Sequence, residues 1–265
     1  MIDTPRISAS SYSNTAPLIW SFLYGRGRGQ AEVILDNAPA RSAELLAEER
    51  VDAALVPVVA YQMIDDARLF PGICVGARER VRSVCLITKG EDLADVQSVS
   101  LDVSSRTSVA LTKIVFREFL GSEPEWRDAR PDIDAMLSDS DAALLIGDPA
   151  LALSGDSHGL RVFDIVDIWR SFTGLGFIFA MWMSRKDGLS LDLSAARDEG
   201  LENIPAIAAN YAAQIGLSPE VMREYLSENI SYQPDSEMLR GMELYFSLAH
   251  KNGLIPAVRE LRYSN

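Results

Sequence analysis

The stretch Ser100-Leu-Asp-Val-Ser-Ser-Arg-Thr-Ser108, continued by Val109-Ala-Leu-Thr-Lys-Ile-Val-Phe-Arg-Glu-Phe-Leu120 and Gly121, decides the fold. Its first residues, with Val99, predict a short strand. From Val109 onward, apolar residues fall at Val109, Leu111, Ile114, Val115, Phe119 and Leu120, close to the period of a helix. Ser104, Ser105, Thr107 and Ser108 crowd the expected helix start, and Gly121 stands at its expected end. One cap residue is enough to start a helix. The extra hydroxyls, the free N–H groups and the positive end of the helix dipole together suit an anion. An over-capped helix with solvated hydroxyls is the competing reading.

The same pattern runs through most of the chain. Strands are expected at 6–10, 32–35, 52–56, 72–76, 81–88, 141–146, 162–165 and 176–183, with a further one within 124–130. Helices are expected at 16–24, 40–49, 57–64, 131–137, 147–153, 167–171, 190–215, 218–227 and 236–251. A weak internal repeat is visible. Ser13-Asn14-Thr15 opens a helix, and Asp52-Ala-Ala-Leu55 begins 39 residues after Ser13. Ser105-Arg106-Thr107 opens another, and Asp141-Ala-Ala-Leu144 begins 36 residues after Ser105. Alternating strands and helices predict an α/β fold of two lobes, each with a mostly parallel sheet. Ligands of such sheets sit beyond the carboxyl ends of the strands, where these hydroxyl-rich turns lie. Lobe one is expected to comprise 1–90 with 184–265, and lobe two 91–183. The chain would then pass between lobes near 89–95 and near 184–187.

Composition narrows the function classes. The 265 residues are 48% hydrophobic and 24% charged, with a net charge of −13. That balance disfavours nucleic acid and anionic membrane as partners, because both reward basic patches. No apolar run is long enough to span a bilayer, and 1–12 contains no apolar signal core, so a cytoplasmic location is expected. Cys74 and Cys85 lie among apolar neighbours and read as reduced core residues. With two Cys and two His in the chain, a zinc site is not expected. No metal or other cofactor is expected at all. Neither His158, in a polar surface-type loop, nor His250, near a helix end, makes a strong general base. Asp148 opens a helix after an apolar strand and reads first as a cap, with a catalytic carboxylate the minority reading. Trp169, Phe172, Phe177, Phe179 and Trp182 read as core, with one or two available to wall a pocket. The remaining equipment is hydroxyls, amides and helix N-termini, which suits a small carboxylate-bearing ligand.

Four ordered segments carry a resemblance. They are Ser8-Ala-Ser-Ser-Tyr-Ser-Asn-Thr-Ala-Pro-Leu18, Asp102-Val-Ser-Ser-Arg-Thr-Ser108, Ile146-Gly-Asp-Pro-Ala-Leu151, and Trp169-Arg-Ser-Phe-Thr-Gly-Leu175 with Phe179-Ala-Met-Trp182. Together they resemble the menaquinone-biosynthesis family that includes chorismate dehydratase. The resemblance runs to about Arg185; the C-terminal helices add only general agreement. It implies the two-lobed type II fold of periplasmic solute-binding proteins, used inside the cytoplasm for catalysis. It also implies the first step of the futalosine route to menaquinone, the loss of water from chorismate to give 3-[(1-carboxyvinyl)oxy]benzoate. A sibling enzyme of the same fold makes 1,4-dihydroxy-6-naphthoate and uses a His near the third segment. Here Gly147-Asp148 stands without a His, which favours the dehydratase. Gly176 departs from the proline expected there more often in the family.

Under this resemblance, Ser105, Thr107 and Ser108 bind one carboxylate of the substrate with helix N–H groups. Ser13 and Asn14 hold the other carboxylate or the leaving hydroxyl. Ser83, on the strand before the crossing, lines the cleft with Val56 and Pro57, and Gly147 borders it. Arg106 either reaches the ligand or pairs with a surface acid. Asn14, Ser83 and Asp148 are the candidates for direct catalytic roles, although the base is expected to be the substrate's own enolpyruvyl carboxylate. The competing classes are the sibling enzyme, a non-catalytic carboxylate-binding protein and a ligand-sensing domain. A small dicarboxylate is the expected partner, and a homodimer is one possible assembly.

Overall fold

A computed structural model of the chain describes residues 4–90, 92–153 and 159–264; His158 lies outside them. The first repeat is β1 (Arg6–Ser10), α1 (Ala16–Tyr24), β2 (Glu32–Asp36), α2 (Pro39–Ala47) and β3 (Ala53–Pro57). Then come β4 (Arg68–Ala77) and β5 (Val84–Thr88). The second repeat is β6 (Ser98–Asp102), α3 (Arg106–Ile114), β7 (Glu125–Ala129), α4 (Ile133–Asp139) and β8 (Ala142–Ile146). The chain continues through α5 (Gly147–Leu153), β9 (Arg161–Asp164), α6 (Ile165–Thr173) and β10 (Phe177–Ser184). It closes with α7 (Leu193–Glu202), α8 (Ile204–Ile215), α9 (Pro219–Glu224) and α10 (Ser236–Lys251).

Two five-stranded sheets result, ordered β2-β1-β3-β10-β4 and β7-β6-β8-β5-β9. The repeat seen in the sequence is therefore a structural one. β1 pairs in parallel with β2 and β3, as β6 does with β7 and β8. The Asp-Ala-Ala-Leu segments earn their composition in the same way twice. Asp52 accepts a bond from the Arg6 N–H at 2.8 Å, and Asp141 accepts one from the Ser98 N–H at 2.9 Å. The alanines and leucines that follow are buried on both faces, as central parallel strands covered by helices require. Equivalent serine pairs support each sheet, Ser8 with Ser42 and Ser100 with Ser140, both at 2.9 Å.

The sheets correct the expected passages. β5 pairs with β8 and β9 in the second sheet, and β10 pairs with β3 and β4 in the first. The chain therefore changes sheets within 78–83 and 174–176, not near 89–95 and 184–187. Each sheet completes itself with one antiparallel strand delivered across the gap. An apolar run alone does not say which sheet receives it, so the sequence assigns each of these two strands to the opposite lobe.

Three local expectations also change. The helix expected over 190–215 is two helices, because Asn203-Ile204-Pro205 breaks it; Pro205 is accommodated in the first turn of α8. The helix expected to run to Leu120 is α-helical only to Ile114 and π-helical over Val115–Leu120, ending at Gly121 with φ 67°. Phe172 is 53% exposed and stacks on Phe119 with centroids 4.6 Å apart, rather than entering the core. Gly176 has a local explanation. α10 crosses so close to β10 that a Cβ on Gly241 would stand 2.1 Å from the Gly176 oxygen. A Cβ on Gly176 would in turn meet Met238 Cγ at 2.7 Å.

Candidate active site

Between the two sheets lies a small cavity, walled from both sides. Ser10 and Pro57 come from the ends of β1 and β3 and Asn14 from the turn after β1, with Phe179 and Ala180 on β10. Ser105 and Ser108 come from the start of α3, and Ile146 and Gly147 from the end of β8. Ser83 comes from the passage between the sheets rather than from a strand. Of the residues expected at the site, Asn14, Pro57, Ser83, Ser105, Ser108 and Gly147 thus meet at one place. None of the cavity's lining residues is an Asp, Glu, His, Lys or Arg. Tyr12 is its one titratable wall residue, and burial pushes that phenol above its ordinary range.

The other expected residues face elsewhere. Val56 is buried in β3 opposite Met181 and does not line the cavity. The Thr107 hydroxyl accepts from the Val59 N–H at 3.4 Å, while its carbonyl accepts from the Tyr245 hydroxyl at 3.1 Å. Arg106 pairs with Glu44 on α2 at 3.3 Å. Ser13 and Asp148 bind each other across the gap between the sheets. The Ser13 N–H donates to the Asp148 carboxylate at 3.1 Å, and the Ser13 hydroxyl donates to it as well. Asp148 is mostly withdrawn from water, and that burial raises its pKa, partly offset by the two Ser13 bonds. These side chains act between the two halves, as does the Ala40 N–H, which donates to the Ser104 carbonyl at 3.2 Å.

Sequence reasoning missed three contributors. Tyr12 packs flat against Gly147: a Cβ there would stand 2.7 to 2.8 Å from three ring carbons. Asp164 closes β9 and ties the first passage to the second sheet. Its carboxylate accepts from the Val81 N–H at 2.9 Å and the Arg82 N–H at 2.7 Å, and its other oxygen caps α6 at Val166. Arg82 is held at φ 60°, an unfavourable region for a non-glycine residue, and so sets the direction in which Ser83 enters the cavity. Tyr225, fully buried beside Ser83, is the third. No periodicity or local spacing marks these residues, because each acts across a long sequence separation.

The cavity volume is about 60 Å³. Ligand pockets are usually about 300–1,000 Å³. The cavity as described is too small for such a ligand, so its walls must move to admit one, and separation of the halves is the expected movement. The inter-sheet bonds at Asp148, Glu44 and Ser104 stand in the way of that movement. X-ray scattering should give a smaller radius of gyration with a bound dicarboxylate than without one; equal radii in both states would argue against such an opening.

A family model described as menaquinone biosynthesis matches residues 5–251. The chain is 32% identical over 236 residues to the chorismate dehydratase of Thermus thermophilus, covering 81% of this chain and 84% of that one. The chain belongs to the menaquinone biosynthesis family. Among solved structures, a protein from Archaeoglobus fulgidus matches with a TM-score of 0.72 at 17% identity, over 95% of this chain and 98% of that one. The periplasmic aliphatic sulphonate-binding protein of Escherichia coli matches with a TM-score of 0.65 at 18% identity, over 98% and 93%. The architecture of this family member is thus that of the periplasmic binding proteins. Among the described residues no helix is long and apolar enough to cross a membrane.

Proposed function

We propose that this protein is a lyase that dehydrates chorismate to 3-[(1-carboxyvinyl)oxy]benzoate on the futalosine route to menaquinone, working in the cytoplasm. One observation carries the reading beyond family membership. The residues of the shared segments converge on a cavity rich in hydroxyls and lacking any acid, imidazole or cation in its lining. Chorismate supplies the missing charges as two carboxylates. In the elimination, the ether-bearing ring carbon loses a proton, its neighbour loses hydroxide, and the ring becomes aromatic. Water and the benzoate ether are the products.

The ring carboxylate gathers charge as the proton leaves. Donors held against it strengthen in the transition state, which is where binding accelerates reaction. The N-terminus of α3 with Ser105 and Ser108 fits that role. Asn14 and Ser83 fit the enolpyruvyl carboxylate or the departing hydroxyl. The enolpyruvyl carboxylate is attached through the ether to the carbon that loses the proton. In a cavity without a cation, desolvation raises its basicity, and its tethering gives it a high effective concentration. We therefore assign it as the base. Asp148, bound to Ser13 outside the cavity lining, holds the closed state instead.

Asp148→Asn tests the assignment. Asparagine still accepts from Ser13, so kcat should stay within about tenfold, the loss expected when one charge-assisted bond becomes neutral. A fall of several orders of magnitude in a folded variant would make Asp148 the base. Incubating the purified protein with chorismate and following the aromatic product by absorbance and chromatography tests the reaction itself. Binding without product would favour the carboxylate-binding reading that the fold's transport relatives suggest.

A further inference from the structure

The C-terminal helices contribute more than packing. α9 passes directly into a π-helical turn over Tyr225–Asn229, closed by the Ile230 N–H donating to the Tyr225 carbonyl at 3.1 Å. Such wide turns cost regular helix bonding and often occur at functional sites. Here the turn brings Tyr225 behind the cavity wall at Ser83. Its side chain is fully buried, and its hydroxyl lies beside Ser83 and Asn14. The neighbouring Glu224 pairs with Arg82 at 3.6 Å, which fixes this turn against the residue that precedes Ser83.

The hydrogen-bond inventory is unusual at this point. The Tyr225 and Ser83 hydroxyls are both shut off from solvent and lie close to each other, yet neither has a well-formed hydrogen bond to a protein group. Burying an unpaired hydroxyl costs roughly 1–3 kcal/mol, and a phenylalanine would have filled the first position without it. Two adjacent unpaired hydroxyls, one in the cavity wall and one immediately behind it, are a donor chain waiting for an acceptor.

The geometry points to Tyr225 as a positioning residue for the dehydration, acting through Ser83 on the anionic or leaving oxygen of the substrate. This inference rests on the chorismate reading. When a substrate oxygen enters, Ser83 turns its O–H toward it. The Ser83 oxygen is then free to accept from Tyr225, which orients the serine and strengthens it as a donor. The phenol suits this task because burial raises its pKa far above neutrality, so it remains a neutral donor throughout the working pH range.

Tyr225→Phe, Ser83→Ala and the double variant test this with chorismate turnover and a thermal melt. Tyr225→Phe should lower kcat roughly ten- to a hundredfold, the worth of a hydrogen bond serving a charged group, with KM changed less than threefold. Ser83→Ala should lose at least as much. The double variant should be no worse than Ser83→Ala, because the tyrosine acts through the serine. A kcat for Tyr225→Phe within twofold of the parent, or losses that multiply in the double variant, would overturn the inference. A fall in kcat explained by a lower melting temperature at the assay temperature would overturn it too. Wild-type protein that leaves chorismate unchanged would refute the proposed reaction and this inference with it. Wild-type turnover with an unaffected Tyr225→Phe would refute this inference alone.

Discussion

Gly147→Ala should lower kcat/KM by about a hundredfold or more while leaving the protein folded. Gly147 sits at φ 66° where β8 becomes α5. A non-glycine residue there costs about 1–2 kcal/mol in backbone strain. The added methyl would also stand 2.7 Å from the Tyr12 ring. Tyr12 is only partly buried and can swing outward, so the clash is relieved by opening the cavity wall rather than by unfolding. The Gly147 N–H donates to the Ser83 carbonyl at 2.7 Å, so the same shift also disturbs Ser83. Gly121→Ala is the control. It has φ 67° and no neighbour within 4 Å of the new methyl, so it pays the backbone cost with the site untouched. It should lose a few degrees of melting temperature and no activity. If both variants keep full kcat/KM, Tyr12 is not a functional wall.

Ser105→Ala with Ser108→Ala should cost kcat/KM at least about a hundredfold, since each hydrogen bond to a charged group is worth roughly 1.5–3 kcal/mol. Ser105 accepts from the Ser108 N–H at 3.2 Å as the cap of α3, and the two hydroxyls lie 2.9 Å apart. A carboxylate entering the cavity would accept hydrogen bonds from both hydroxyls and free the helix N–H groups toward itself. Stability should fall by only about 1 kcal/mol, the worth of the lost cap. Thr107→Ala makes the comparison informative. Its side chain serves Val59 across the sheets and does not line the cavity, so it should shift the melting temperature more than kcat/KM. A double serine variant within threefold of the parent would remove the α3 terminus from the substrate site.

These expectations differ from those the sequence alone supports mainly in where side chains point. Four hydroxyls around one helix start signalled an anion site, but all four could not be told apart. Ser105 and Ser108 face the cavity, Thr107 turns to Val59, and the Ser104 hydroxyl donates to Asp102 at 2.6 Å. A helix start presents successive side chains in different directions, and only packed neighbours decide which direction is inward. Arg106 likewise had two plausible partners, and the nearness of α2 supplies Glu44.

What the sequence by itself determined was the alternation of elements, the repeated block with its paired Asp-Ala-Ala-Leu strands, and the family. These depend on local periodicity, on caps and on contiguous segments. The tertiary structure alone decided that β5 and β10 are exchanged between the sheets, because pairing is a choice among buried edges of equal apolarity. It also decided that Asp148 reaches across to Ser13, that Asp164 fixes the passage leading to Ser83, and that Tyr225 arrives behind Ser83 from the C-terminal helices. The Asp148 and Tyr225 contacts each join residues more than a hundred positions apart, and the Asp164 contact joins residues more than eighty apart. No spacing rule reaches that far; only the closing of two sheets around one cavity brings such groups into hydrogen-bond range.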